Sequence, residues 1–285
     1  MLTVYAPAKI NLVLEVLGKE NDYHQISSIV QSIDLCDVLN FQPDKEIYFE
    51  CNEPDLKRDN LVMRAAILLK ENKKCSPGAR IELRKHIPWG VGLGGGSSDA
   101  AATLLALNEL WGLGLPLSEL VHLAFRLGSD VPFFLYKGTA SVEGKGERVT
   151  ALPSLPSTCF VLLVPPLPKI SGKTEQMYNN LDASYFTEGQ FVQATLSSLR
   201  QGKAIDPGLM FNVFKKVAFD FFPGLDKYRK TLEEAGAPEV YLAGSGPCLF
   251  TFFSGDSGER KASELFSRLR KQGLECYLAS SFPPQ

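Results

Sequence analysis

The sequence predicts an α+β protein of two domains, on three observations. The chain has 285 residues, 45% hydrophobic and 22% charged, an ordinary globular composition with enough length for two cores. Its first half reads as strands, one helix, a strand and then more helices. Its second half runs strand, helices, strand, strand, helix, strand, which fits a ferredoxin-like α+β layer. Between the halves, "LPSLPST" (Leu152–Thr158) places two prolines between well-patterned blocks and reads as a linker. The expected domains are 1–153 and 158–285.

The elements follow in order. "LTVYAPAK", "INLVLEVLG" and "HQISSIVQSIDL" are strand-like, with partial alternation broken at Gly18, and "VLNFQ" and "EIYFECN" suggest two more. Asn60–Lys73 has helical spacing, with Asn60 placed to cap it. "ARIELRKHIP" reads as a strand feeding a glycine-rich loop, and helices follow over Asp99–Leu110 and Ser118–Leu127, the second with Ser118 as cap. After the linker, "CFVLLVP" is a buried-type strand, and Gln190–Leu199 and Met210–Phe221 read as helices. "EVYLAGSGPCLFTFF" suggests two strands about a Gly-Ser-Gly turn, "SGERKASELFSRLRKQG" an amphipathic helix, and "LECYLASSF" a last strand.

Charge and composition exclude several classes of function. Net charge is −2 without a long basic run, so neither nucleic acid nor an anionic membrane is an expected partner. No apolar stretch is long enough to span a bilayer. The opening "MLTVYAPAKIN" lacks the basic-then-apolar order of a signal peptide, which gives a cytoplasmic expectation. Cys36, Cys51, Cys75, Cys159, Cys248 and Cys276 are widely spaced and read as reduced thiols; with only three histidines a zinc site is not expected. Oligomeric state is not legible.

The loop "PWGVGLGGGSSDAA" carries the functional signal. Gly90, Gly92, Gly94, Gly95 and Gly96 let backbone N–H groups approach an anion without a Cβ between them, and the following helix N-terminus favours phosphate. Ser97 and Ser98 stand where caps occur and add hydroxyl donors. Walker A fails because no lysine follows the glycines. Gly90, Gly92 and Gly95 satisfy G-x-G-x-x-G, but a dinucleotide fold would next need a strand ending in an acidic residue, and a second helix comes instead.

Pro88–Ser98 ("PWGVGLGGGSS") resembles the signature of the GHMP kinases, whose loop wraps the triphosphate of ATP. "APAKINLVLEV", "GSDVPFF" and "LAGSGPCLF" are similar to that family's N-terminal, aspartate and C-terminal glycine motifs, in the same order. The triple glycine and double serine are closest to the branch whose acceptor is 4-diphosphocytidyl-2-C-methyl-D-erythritol. The resemblance implies a ribosomal-protein-S5-like N-terminal domain with a ferredoxin-like C-terminal one. It further implies ATP as phosphoryl donor, Mg²⁺, and direct in-line transfer to the acceptor's 2-hydroxyl.

The chemistry implied is that of positioned charges. Lys9 and Asp130 are the expected catalytic pair, Asp130 accepting the hydroxyl proton and Lys9 attracting the alkoxide. Pro88, Trp89, Gly90, Val91, Gly92, Leu93, Gly94, Gly95, Gly96, Ser97 and Ser98 are the expected ATP-binding residues. Asn11, two residues beyond Lys9, shares its strand face. Tyr23 and His24, in "NDYHQI", match the branch's D-G-Y-H motif for the cytidine end, with Asp22 where that motif has glycine. Tyr178 matches an aromatic position that stacks on cytosine in relatives, with helix packing as its other reading, and Lys145 is a candidate to reach the acceptor diphosphate, with a solvated loop lysine as its other reading. Metal ligands are not readable, Ser98 being a candidate by position.

Overall fold

Long strands with few interruptions set the frame. The computed structural model describes residues 1–21, 23–56, 60–73 and 77–283. The strands are β1 (Leu2–Glu20), β2 (Tyr23–Asp44), β3 (Ile47–Cys51), β4 (Gly78–Arg84), β5 (Thr139–Gly144), β6 (Arg148–Ala151), β7 (Thr158–Leu163), β8 (Phe211–Asn212), β9 (Tyr241–Leu242), β10 (Leu249–Ser254) and β11 (Cys276–Ser280). The helices are α1 (Leu61–Lys73), α2 (Gly95–Leu110), α3 (Leu117–Leu127), α4 (Phe133–Tyr136), α5 (Lys173–Asn179), α6 (Gln190–Arg200), α7 (Lys215–Phe221), α8 (Leu225–Glu234) and α9 (Gly258–Lys271).

The first sheet runs β3-β4-β2-β1-β8, with β5 pairing β2 and β6. The second runs β11-β7-β10-β9, the ferredoxin-like order, all antiparallel. Three cores result. One lies between the first sheet and α1, α2 and α3, around Phe41, Leu69 and Leu104. Another holds Ile10 and Leu12 of β1 against Phe160 and Phe250 of the second sheet. The third covers the second sheet with α7, α8 and α9, around Phe214, Leu232 and Leu265. The halves interlock, because β8 pairs parallel to β1 and the Phe282 N–H donates to the Ser32 carbonyl.

Several expected boundaries shift, each for a visible reason. The two strands expected before Gly18 are one, and so are "HQISSIVQSIDL" and "VLNFQ". Pro7 is absorbed at a bulge between Pro7 and Ala8, where a missing N–H breaks no regular ladder. Asn60 caps α1 as expected, accepting from the Met63 N–H at 2.9 Å. Ser97 and Ser98 are not caps: α2 begins four residues before Asp99, Gly94 is its N-cap in the left-handed region (φ 71°), and the Ser98 N–H already donates to the Gly94 carbonyl. Ser118 is not a cap either, since Pro116 stands there and lacks a side-chain acceptor.

The helix expected over Met210–Phe221 begins only at Lys215. Tertiary contacts take its start: Phe211 stacks on Phe191 at 4.5 Å, and the Asn212 amide donates to the Leu242 and Gly244 carbonyls. Asn212 Oδ1 then accepts from the Phe214 N–H, turning the chain into α7. Cys36, Cys51, Cys159, Cys248 and Cys276 are free thiols; Cys75 lies outside the described residues. No described helix is long and apolar enough to cross a membrane.

Candidate active site

Strand β1 aims the site by its bulges. Lys9 and Asn11 alternate onto one face; the bulge between Asn11 and Val13 then puts Leu14, not Val13, on it. Lys9, Asn11 and Leu14 line one cavity with Ser28, Asp130, Gly92, Gly94 and Tyr178. Opposite β2, the edge of β1 is completed by two loops. The Lys9 N–H donates to the Leu93 carbonyl and the Asn11 N–H to the Ala243 carbonyl, both at 2.9 Å.

The two glycine motifs lie backbone on backbone. A Cβ on Gly92 would sit 2.8 Å from the Gly246 nitrogen, and one on Gly246 would sit 2.1 Å from the Val91 carbonyl oxygen. A Cβ on Gly94 would meet the Phe134 ring at 2.8 Å and the Lys9 side chain at 3.0 Å. Much of the loop's glycine therefore serves packing against the second lobe and Lys9, where anion approach alone had been expected. Val91 and Leu93 are buried core pegs between those glycines.

Lys9 Nζ donates to Asn11 Oδ1, and Asn11 Nδ2 donates to Ser28 Oγ at 2.8 Å. Ser28 in turn donates to the Val13 carbonyl at 2.6 Å, so a fixed chain of hydrogen bonds orients the ammonium. Asp130 Oδ2 lies 3.9 Å from Lys9 Nζ, with its carboxyl half exposed to the cleft. Its approach is set by Gly146, whose Cβ would strike the Ser129 carbonyl at 2.2 Å.

Behind the glycine loop is a buried cluster that sequence reasoning missed. Lys85 Nζ donates to Asp37 and, at 2.8 Å, to Asp99 of α2. Asp37 Oδ1 accepts from the His86 and Ile87 N–H groups at 2.6 and 2.9 Å. Both ends of the loop are thus tied to one ammonium. Burial pushes the Asp99 carboxyl up, against the pull of Lys85, while the two carboxylates hold Lys85 protonated. The sequence signal was a lysine ending a strand ahead of "HIP", which reads equally well as surface.

Three concavities form one cleft. The first is the cavity around Lys9 and Asp130, about 210 Å³. The second follows the loop and is lined by Pro88, Trp89, Gly90, Gly92, Leu93, Gly94, Gly95, Gly96 and Ser97, with an apolar wall of Leu56, Leu61 and Leu83. Val91 and Ser98 are not among its lining residues: Val91 is packed in the core, and Ser98 is buried one turn into α2. The third, about 910 Å³, carries Tyr23, His24, Lys145 and Tyr178, and shares Asp130 and Tyr178 with the first. There Lys145 Nζ sits 4.0 Å over the Tyr23 ring, and His24 stacks on Tyr178 at 4.8 Å. Desolvation, helped by Lys19, lowers the His24 pKa and favours its neutral form. Asp22 lies outside the described residues. Lys173, at the start of α5, also lines the reaction cavity and carried no motif in the sequence.

This geometry, a glycine loop before a helix and a Lys–Asp pair between two lobes, agrees with comparison to known proteins. The GHMP kinases N terminal domain matches residues 60–138, and the GHMP kinases C terminal domain matches 194–273. The chain belongs to the GHMP kinase family. Within it, the chain is 45% identical to a 4-diphosphocytidyl-2-C-methyl-D-erythritol kinase of Dehalococcoides mccartyi, over 100% of this chain and 99% of that one. It is also similar to a crystal structure of 4-(cytidine 5'-diphospho)-2C-methyl-D-erythritol kinase, with TM-score 0.82, 34% identity and 98% of each chain covered. A homoserine kinase from Cytophaga hutchinsonii shares the fold at TM-score 0.76 and 19% identity, over 100% of this chain and 95% of that one.

Proposed function

We infer that this kinase moves the γ-phosphoryl group of ATP to the 2-hydroxyl of 4-diphosphocytidyl-2-C-methyl-D-erythritol, a step in non-mevalonate isoprenoid precursor synthesis. The observation that carries it is the Lys9–Asp130 pair at 3.9 Å, standing where the loop cavity and the aromatic groove meet. ATP lies along the glycine loop, its base against Leu56, Leu61 and Trp89 and its phosphates at the N-terminus of α2. The small polyol end of the acceptor fits the 210 Å³ cavity, and its cytidine diphosphate needs the 910 Å³ groove. There Tyr23, His24 and Tyr178 offer ring faces to the base and Lys145 a charge to the diphosphate.

Transfer is a single displacement. Asp130 takes the proton of the acceptor hydroxyl as its oxygen bonds to the γ-phosphorus, and the bond from that phosphorus to ADP breaks with its electrons leaving on ADP. Lys9, held by Asn11 and Ser28, attracts the developing alkoxide without having to reorganise. The residues fit a Mg²⁺ carried mainly on the phosphates. No group of three potential metal ligands (His, Cys, Asp or Glu) occurs among the described residues, and Ser98, the candidate by position, is buried behind the loop and does not line the ATP cavity. That ion neutralises charge on the β- and γ-phosphates when bound. On this reading the reaction is cytoplasmic, where ATP is supplied.

The test is substrate competition with purified protein. Turnover of the cytidylyl acceptor with ATP, and none of homoserine or mevalonate, is expected; the reverse preference would overturn the assignment. Asp130→Asn should lower kcat by three orders of magnitude or more, to judge by removal of a general base, with ATP affinity kept.

A further inference from the structure

We propose that Lys173 is a phosphate-binding residue of this reaction, its ammonium pairing with the phosphoryl oxygens as that group passes from ATP to the acceptor hydroxyl. The inference rests on the kinase reading above. Lys173 opens α5 after Gly172, which takes the left-handed conformation at φ 63°, and its side chain turns into the cavity that holds Lys9 and Asp130. The residue is only 9% exposed, yet no ion pair or hydrogen bond ties its ammonium to any described residue.

A buried ammonium without an anion destabilises a fold, so its retention beside a reaction cavity calls for a visiting anion. The titratable groups facing it are Lys9 from β1, Asp130 from the loop before α4, and Cys248 from the loop before β10. Burial pulls its pKa down to about 8 and Lys9 acts in the same direction, while Asp130 and Cys248 oppose them. Burial pushes the Cys248 thiol and the neighbouring Tyr178 hydroxyl far up, so neither supplies negative charge. Two ammonium groups thus converge on one carboxylate. A phosphoryl group between ATP and the acceptor balances that excess, and Lys173 stays protonated throughout.

The test is Lys173→Met, which keeps the stem and removes the charge. Wild-type protein must first turn over ATP and the acceptor; if it does not, the kinase reading itself fails. Given that turnover, the variant should lose on the order of 100-fold in kcat/KM for ATP, the scale seen when one charge-stabilising donor is removed. Its Tm should rise, because an unpaired buried charge is gone. Calorimetry should find ADP bound as before, with the added affinity of a non-hydrolysable ATP analogue diminished.

In the wild type, kcat/KM for ATP should fall above about pH 8, following free Lys173, while kcat holds to higher pH because bound phosphate keeps the proton. Lys173→Arg should move that limb above about pH 10, since guanidinium does not titrate in this range. Wild-type kcat/KM in Lys173→Met would overturn the proposal. So would a lost acceptor affinity with ATP parameters intact, or a lowered Tm, which would mark a structural partner.

Discussion

Gly246→Ala offers the sharpest test of how the site is built. The added Cβ would lie 2.1 Å from the Val91 carbonyl oxygen and 2.7 Å from the Gly92 nitrogen, both backbone atoms that cannot rotate away. Ordinary contact begins at 3.4 Å, so the glycine loop and the Gly-Ser-Gly turn must separate by about 1.3 Å. Gly246 has no positive φ, so the effect is steric and not conformational. Overpacking of this kind costs about 1–3 kcal/mol, a Tm loss of roughly 2–5 °C at this chain length. The functional cost exceeds the stability cost. The Leu93 carbonyl, which accepts from the Lys9 N–H, moves with the loop, and displacement by about 1 Å costs on the order of 100-fold in rate. The assay pairs initial-rate kinetics with thermal melting, using Gly18→Ala as control because nothing lies within 4 Å of a Cβ there. Wild-type rates and Tm in Gly246→Ala would refute the reasoning that these loops are locked backbone to backbone.

Lys85→Met should remove the ammonium that Asp37 and Asp99 share, cost about 3–5 kcal/mol and lower Tm by roughly 5–8 °C. The Asp99 pKa is raised on folding, so its protonated form is the stabilising one and that stability is lost as pH rises. Asp99 is protonated in the folded protein at pH 5 and at pH 7, so the Lys85→Met deficit should be alike at those two values and widen only above about pH 8, where Asp99 ionises in the wild type but not in the variant; a deficit that does not widen there would contradict the charge argument. Tyr23→Ala and His24→Ala should each raise KM for the acceptor about tenfold and leave KM for ATP alone, measured by varying each substrate in turn; removal of one ring contact is worth roughly 1 kcal/mol or more. A changed ATP KM instead would place these rings outside the acceptor groove.

Local pattern was enough wherever the physics is local. The cap at Asn60, the alternation that puts Lys9 and Asn11 on one face, and the ferredoxin-like order all follow from side-chain periodicity and hydrogen-bonding chemistry within a few residues. The kinase motifs were legible because each is a short run whose chemistry depends on its own residue types. Tertiary structure decided what depends on atoms far apart in the chain. Phe211 and Asn212 have helical neighbours, yet pair with β1 because the Leu242 and Gly244 carbonyls and the Phe191 ring were waiting for them. The serines look like caps until Gly94 takes the left-handed turn that β1 and Phe134 leave no room to fill. Lys85 and Lys173 show the limit most clearly. A lysine in a sequence reads as solvated, and only the folded chain shows that one is enclosed by two carboxylates and the other faces a cavity with no partner among the described residues, since desolvation is a property of everything packed around a charge.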